Sequence, residues 1–456
     1  MNIKKVRKIA FLVLLLSLIL TSFSFQRHKV ERGRPREVQL RGRAIRSLNG
    51  GRPFQKQGPR YVPGEVLVKF KPTLRNQVIE ATLAAYSTKK IKRIPRLDIY
   101  ELQISKHFTV EQMVYALNQN PDVEFAEPNF IARVAATPND AYYKYQYALH
   151  NTGQEIGISG SPSGKSGADI KATAAWDETK GTAEDIIAII DSGVDFDHPD
   201  IKNKVVSRGR DLVNNDFDAT DDLGHGTFVA GIAAADTNNS EGVAGVAWNC
   251  KILPVKVMDK EGQGDYGWLV EGLIWAADNG ADVINLSLGG SDTSESLRQA
   301  LKYAHDKGIV IAAATGNEGS SVLYPAAYDE FCLAVAATDY NDAQTSWSNF
   351  GPEVDVAAPG DRVLGPVPTW YWASLGDPES IPYAFGSGTS ASTPHVAGLA
   401  ALVKSSKPWL TADEIMDIIR FTSDDVNSAE HKGKDDLIGY GRINMEKALV
   451  PIKITK

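Results

Sequence analysis

The sequence predicts an α/β protein whose larger part is a parallel sheet with helices on both sides, preceded by a small α+β domain. Three observations carry that reading. Apolar runs at 185–190, 283–286, 309–314 and 333–337 show no alternation, as expected of strands covered on both faces. Helical spacing fills the intervals, at 227–235, 266–279 and 294–307, and such alternation implies βαβ units. Ahead of them, residues 61–135 hold period-two strands and a helix within a short span, the pattern of a compact α+β sandwich.

At 456 residues the chain can form two or three domains with at least one large core. Its 43% hydrophobic and 23% charged content is that of an ordinary globular protein. A net charge of −7 argues against nucleic acid as the general partner. Two cysteines, Cys250 and Cys332, are too few for a disulfide framework, and neither has a second cysteine nearby for a zinc cluster. Both adjoin apolar runs, which favours buried free thiols over a single bridge.

Residues 1–24 have the form of a secretory signal peptide. Lys4, Lys5, Arg7 and Lys8 precede an apolar run at 9–20, and Ser22 and Ser24 fit cleavage after Ser24. The run falls short of the roughly 20 residues that span a bilayer, so no membrane span is expected after its removal. Export follows. Residues 25–60 are basic, with Arg27, Lys29, Arg32, Arg34 and Arg36 in close succession. Such a stretch buries too little apolar surface to offset its ordering entropy and is expected to be a disordered linker, with binding to anionic surfaces as the alternative. In the small domain, 65–71 and 98–104 alternate as strands, 110–118 has helical spacing, and 121–130 reads as a last strand. A binding module of this size would show the same elements.

From residue 136 onward four polar residues stand in unusual settings. Asp191 ends the first buried run, where an unneutralised carboxylate is costly unless something pairs with it. His225 lies between Gly224 and Gly226 at the start of an apolar helix. Asn317 follows another buried strand. Ser390 lies in a glycine-rich turn that runs into an alanine-rich helix, with Pro394 expected in its first turn. Singly, each has an ordinary explanation: a turn cap, a packed histidine, a turn asparagine, an N-cap. Together they fall at strand ends and helix starts, hence at one edge of the sheet, where α/β sites lie. They supply a nucleophile, a base, a group to orient the base and an oxyanion donor, the set needed to cleave an amide.

The motifs around them resemble the subtilisin family, near its thermitase-like branch. They are Asp191-Ser-Gly-Val194 with His198-Pro-Asp200, His225-Gly-Thr-Phe-Val-Ala-Gly231, Val283-Ile-Asn-Leu-Ser-Leu-Gly-Gly290, Thr315-Gly-Asn317, Gly388-Thr-Ser390 with Pro394-His-Val-Ala-Gly398, and Tyr440-Gly-Arg-Ile-Asn444. Pro63-Gly-Glu-Val-Leu-Val-Lys-Phe70 and Asp122-Val-Glu-Phe-Ala-Glu-Pro-Asn129 resemble the family's inhibitor-type propeptide. The resemblance implies a three-layer subtilisin-like catalytic domain at 136–456 behind a ferredoxin-like propeptide domain at 61–135. It implies a monomeric serine endopeptidase acting on proteins or peptides, made as a zymogen whose propeptide inhibits it until self-cleavage near 133–137. Ser390 would be nucleophile, His225 general base and acid, Asp191 its partner and Asn317 an oxyanion donor. The cleft would use Ser287, Leu288 and Gly289 opposite Gly262 and Gly264 as flanking strands. Ala314, Thr315 and Gly316 would line the S1 pocket, with Leu323 near its base making it shallow.

The family also implies structural calcium, held by Asp140, Asp200, Asp236, Asn239, Glu241 and Val243. A second acidic group, Asp211, Asn214, Asp216, Asp218, Asp221 and Asp222, is either another cation site or a solvated loop. Phe228 stands where many relatives have histidine, and Ala391-Ser392 replaces the usual Met-Ala. An aromatic-rich insertion at 364–385 is a packed surface loop, or else a lid or leaving-side subsite. A catalytically silent peptide-binding protein on the same fold is the alternative from another class, and a processing protease with one substrate is the narrower one.

Overall fold

The computed structural model describes residues 61–131, 137–157, 162–374, 380–427 and 429–449. The expected signal peptide at 1–24, the linker at 25–60 and nearly all of the expected processing stretch lie outside them. The described residues form two compact units, divided between residues 134 and 135.

The first unit runs β1 (Tyr61–Phe70), α1 (Asn76–Ala85), β2 (Lys89–Ile94), β3 (Ile99–Gln103), α2 (Val110–Asn118), β4 (Val123–Phe130). Its antiparallel sheet has the order β2-β3-β1-β4, the ferredoxin-like arrangement. Alternate residues Val66, Val68 and Phe70 of β1 enter a core with Leu102, Met113 and Leu117. Thr109 and Gln112 cap α2 reciprocally, satisfying two of its free N–H groups. Sequence periodicity did not reveal α1 or β2. Strand β2 is an edge strand whose Lys89, Lys90, Lys92 and Arg93 are exposed, so it carries no apolar alternation to read.

In the second unit, β5 (Ile186–Asp191), β6 (Arg210–Asp211), β7 (Lys251–Lys256), β8 (Val283–Leu286), β9 (Val310–Ala314), β10 (Leu333–Thr338) and β11 (Val356–Pro359) form one sheet. Its order is β11-β10-β9-β8-β5-β7-β6, and every pairing is parallel. Side chains alternate between two cores. Ile187, Ile189, Val283, Val310 and Val335 face α3 (Ala172–Glu178), α4 (His225–Ala234), α8 (Thr389–Ser406), α9 (Ala412–Thr422) and α10 (Met445–Leu449). Ala188, Ile190, Val255, Ile284 and Ile311 face α5 (Tyr266–Asp278) and α6 (Glu295–Asp306). The absence of alternation in these strands follows directly from two covered faces. No helix among the described residues is long and apolar enough to cross a membrane.

Two local findings position the site. Helix α8 begins at Thr389 with Gly388 as N-cap, so Pro394 sits in its second turn and not in the first. The proline has no N–H to give to the carbonyl four residues back, and that carbonyl belongs to Ser390. The insertion forms a hairpin of β12 (Val363–Pro366) and β13 (Tyr383–Gly386), with α7 (Tyr371–Ser374) between them. The Phe228 side chain of α4 is wedged into this hairpin. A β-carbon at Gly365 or Gly386 would come within 2.7 Å of its ring, so both strands need glycine there. Histidine in place of Phe228 would bring a polar ring into the same dry slot.

Candidate active site

Because β5, β8 and β9 are neighbours and parallel, their carboxyl ends lie in a row. Asp191 is the last residue of β5, Ser287 follows β8, and Thr315-Gly-Asn317 follows β9. Helices α4 and α8 begin at the same edge, at His225 and Thr389.

Asp191 is 0% exposed, and its Oδ1 accepts the Ser192 N–H at 2.8 Å. His225 Nδ1 lies 2.7 Å from the same oxygen. A carboxylate can only accept there, so Nδ1 carries the proton and the tautomer is set. Burial pulls the His225 pKa down, but the charge and hydrogen bond of Asp191 outweigh it and hold the imidazole above its ordinary 6.5. Gly226 makes this approach sterically feasible, since a β-carbon there would lie 2.0 Å from the Gly193 carbonyl oxygen.

A second buried carboxylate ties the two segments together. Asp221 Oδ1 accepts from Ser192 Oγ, Leu223 N and Gly224 N at 2.8–3.0 Å, and Oδ2 accepts from the Thr227 N–H and hydroxyl at 2.9 and 2.6 Å. Ser192 Oγ in turn accepts the Gly226 N–H at 2.9 Å. Burial pushes the Asp221 pKa up, against the pull of these donors. Lys256, also buried, donates to the carbonyls of Ser192 and Met258 at 2.9 and 3.0 Å and pairs with Asp222. The sequence groups Asp221 and Asp222 with an acidic cluster that reads as either a cation site or a solvated loop. The signal for their actual roles was positional: Asp221 stands four residues before His225, with Thr227 ready to close a cap.

Ser390 is the second residue of α8 and is not its N-cap. Its carbonyl, freed by Pro394, accepts Ser287 Oγ at 2.9 Å, while its own Oγ donates to the Ser287 carbonyl at 3.1 Å. Asn285 Nδ2 donates to Ser287 Oγ at 3.0 Å. Asn317 Oδ1 accepts from the Thr389 N–H and hydroxyl at 2.8 and 3.0 Å, which turns Nδ2 the other way. Gly388 keeps that nitrogen uncovered: a β-carbon there would lie 3.4 Å from Asn317 Nδ2.

Ser287, Leu288 and Gly289 continue from β8, and Ala314, Thr315 and Gly316 lie at the end of β9, all six buried. Leu323 packs against both groups, since β-carbons at Gly289 and Gly316 would lie 3.1 and 2.8 Å from its side chain. Gly264 follows the turn after β7, but Gly262 closes that turn, donating its N–H to the Asp259 carbonyl at 2.9 Å. It does not lie on an extended segment as expected, because the Asp259–Gln263 pairing curls the chain back first.

Of the expected cation ligands, Asp140 and Asp200 are 5% and 0% exposed. Asp140 accepts the Asn238 N–H, and Asp200 accepts the Val243 N–H and Asn239 Nδ2, each at 2.8–3.0 Å. Burial pushes both acids up, Asp200 to about 6, with repulsion from Asp140 adding to it. Asp236 accepts from Asn203 Nδ2 at 3.0 Å, and the exposed Glu241 donates its N–H to Asn239 Oδ1 at 2.8 Å. The second acidic group disperses. Asp211 takes Asn214, Asp216 takes the Asp218 N–H, Asp218 takes Arg208, and Asp221 and Asp222 serve the site above. Among the described residues no three His, Cys, Asp or Glu side chains converge on a metal position. Cys250 and Cys332 are free and buried, with burial pushing Cys250 up to about 12 and Cys332 well up.

Comparison with known proteins gives the same picture. The Subtilase family profile matches residues 183–441, and the Fervidolysin N-terminal prodomain profile matches 49–129. The chain is 40% identical over 390 residues to the Thermophilic serine proteinase of Bacillus sp. (strain AK1), covering 85% of this chain and 88% of that one. It is 44% identical over 281 residues to Thermitase of Thermoactinomyces vulgaris, covering 61% of this chain and 93% of that one. The crystal structure of fervidolysin from Fervidobacterium pennivorans superposes with a TM-score of 0.57 at 26% identity, covering 87% of this chain and 62% of that one. With this fold, these motifs and these relatives, the chain belongs to the subtilase family and is a serine endopeptidase preceded by a prodomain.

Proposed function

We propose that this protein is an exported, autoprocessed endopeptidase that cleaves peptide bonds through an acyl-enzyme on Ser390. The observation that carries the reading is the buried 2.7 Å contact between His225 Nδ1 and Asp191 Oδ1, at the same sheet edge where α8 begins one residue before Ser390. Ser390 Oγ, turning from the Ser287 carbonyl, attacks the scissile carbonyl and gives its proton to His225 Nε2. Asp191 stabilises the resulting imidazolium. The oxyanion is held by Asn317 Nδ2 and the Ser390 N–H, the latter favoured further by the positive end of α8. His225 then protonates the leaving amine, and water releases the acyl group by the same steps in reverse. In subtilisin itself, loss of the corresponding side-chain donor costs on the order of 10²–10³ in kcat.

Leu323 supports a shallow S1 pocket, because it occupies space beside the two glycines that would otherwise deepen it. The Asp140–Asp200 pair supports a structural cation. Both acids are interior and face the loop 236–243, and among the described residues neither pairs with a lysine or arginine. Hard oxygen donors of this type suit calcium, with Asn239 and carbonyls of the loop completing the set. When bound, calcium would neutralise the two carboxylates and hold the loop. The basic start and apolar run at 1–24 support export, and the family-type prodomain supports intramolecular inhibition before self-cleavage.

Four outcomes are expected. Ser390→Ala leaves the purified precursor at full length by mass spectrometry, whereas the parent shortens and reacts with a fluorophosphonate at Ser390; cleavage of the isolated variant would refute autoprocessing. Because the imidazole pKa is raised, its protonated form persists to higher pH, so kcat/KM falls on acidification through a midpoint above 6.5. A midpoint below that value contradicts the Asp191 pairing. On a P1-varied peptide set, small and medium apolar residues are cleaved best and Leu323→Gly shifts preference toward Phe and Tyr by about tenfold; best cleavage after Phe, Tyr or Lys by the parent removes the shallow pocket. A chelator lowers Tm by several degrees, consistent with the loss of about 2.7 kcal/mol for a site with free cation about a hundredfold above its Kd, and Asp200→Asn abolishes that sensitivity. A Tm indifferent to chelation rules out the cation.

A further inference from the structure

The insertion is unused by the chemistry above, yet it is tied to the segments that carry both Asp191 and His225. Thr369 donates its N–H and hydroxyl to Asp195 Oδ2 at 2.6 and 2.8 Å, four residues beyond Asp191. Trp370 Nε1 donates to the Asp221 carbonyl at 3.3 Å, four residues before His225. At its stem, the Val367 N–H donates to the Pro382 carbonyl at 2.8 Å, and that oxygen is 3.0 Å from His198 Nε2. Pro368 and Tyr371 press on Gly224, the residue preceding His225, where a β-carbon would lie 3.3 Å from each. The described part of the arm, at 367–371 and 382, is thus fixed at several points. Trp370 is nevertheless 37% exposed, an unusual position for a large apolar ring held by its nitrogen.

Its location says what the ring is for. The acyl half of a substrate is taken on the β8–β9 side of Ser390, by 287–289 and 314–316. His225 must protonate the departing amine, so the leaving chain passes the His225 side of the nucleophile. The rim there is built by the start of α4 and the arm resting on it. The geometry points to Trp370, backed by Tyr371, as a leaving-side subsite for an aromatic or large aliphatic side chain on the residue after the scissile bond. The proposal rests on the acyl-enzyme reading and adds a substrate preference to it.

The test uses the reverse of leaving-group departure. An added amino-acid amide attacks the Ser390 ester carbonyl, forming a C–N bond as the C–Oγ bond breaks. The amine proton passes to His225 and from it to Ser390 Oγ. The enzyme matured from the full chain is acylated with a peptide ester, and partition between water and phenylalaninamide or glycinamide is read by chromatography. Because the ratio is taken per acyl-enzyme, it does not depend on the fraction of folded protein. The parent is expected to favour phenylalaninamide about tenfold, Trp370→Ala to lose most of that preference, and Trp370→Phe to keep it. An unchanged ratio in Trp370→Ala, or no preference in the parent, overturns the subsite. Failure of the parent to form any acyl-enzyme from the ester overturns the acyl-enzyme reading, and the subsite with it.

Discussion

A carboxylate with no exposure at the end of an all-apolar strand is the constraint on which the rest of this site depends. Burying a charge without partners costs several kcal/mol even after relaxation, so Asp191 can persist only if donors converge on it. The Ser192 N–H and the His225 ring supply them. That requirement fixes how closely α4 approaches β5, which in turn demands glycine at 226. Asp221 and Ser192 then hold the helix start against the strand end with a network of short hydrogen bonds. The Asp191–His225 pairing is therefore also a structural joint between sheet and helix.

Ser390, the proposed nucleophile, is held by a different device. A proline inside a helix normally appears as a defect, because it leaves one carbonyl without its N–H. Here that carbonyl is Ser390's own, and the hydroxyl of Ser287 from the neighbouring strand end takes it. The helix is thereby anchored to the end of β8 through Ser390. On the other flank, Thr389 uses both its N–H and its hydroxyl on Asn317, so the proposed oxyanion donor is aimed by the residue next to Ser390.

Much of this was legible in the sequence. Strands buried on both faces announce themselves as apolar runs, and the four polar residues at their ends stood out against that background. What was not legible depended on partners distant in the chain. The edge strand β2 is mostly charged, with Ile91 and Ile94 three apart and not in alternation, and its place follows from pairing with β3. Pro394 looked like a first-turn residue because nothing local shows that α8 starts five residues earlier. Asp211, Asp216, Asp218, Asp221 and Asp222 read as one acidic cluster, but each closes its own turn, cap or ion pair. Spacing alone does not separate carboxylates that share a cation from carboxylates that each satisfy a backbone.

Sulfur is placed with equal consistency. Alanine, not methionine, follows Ser390 at position 391, and Met113, Met258, Met416 and Met445 are all interior. Both thiols are buried, and burial holds them protonated. Oxidation of methionine or cysteine needs an accessible sulfur, and for cysteine a thiolate. Among the described residues the medium therefore reaches no sulfur for oxidation until the fold itself opens.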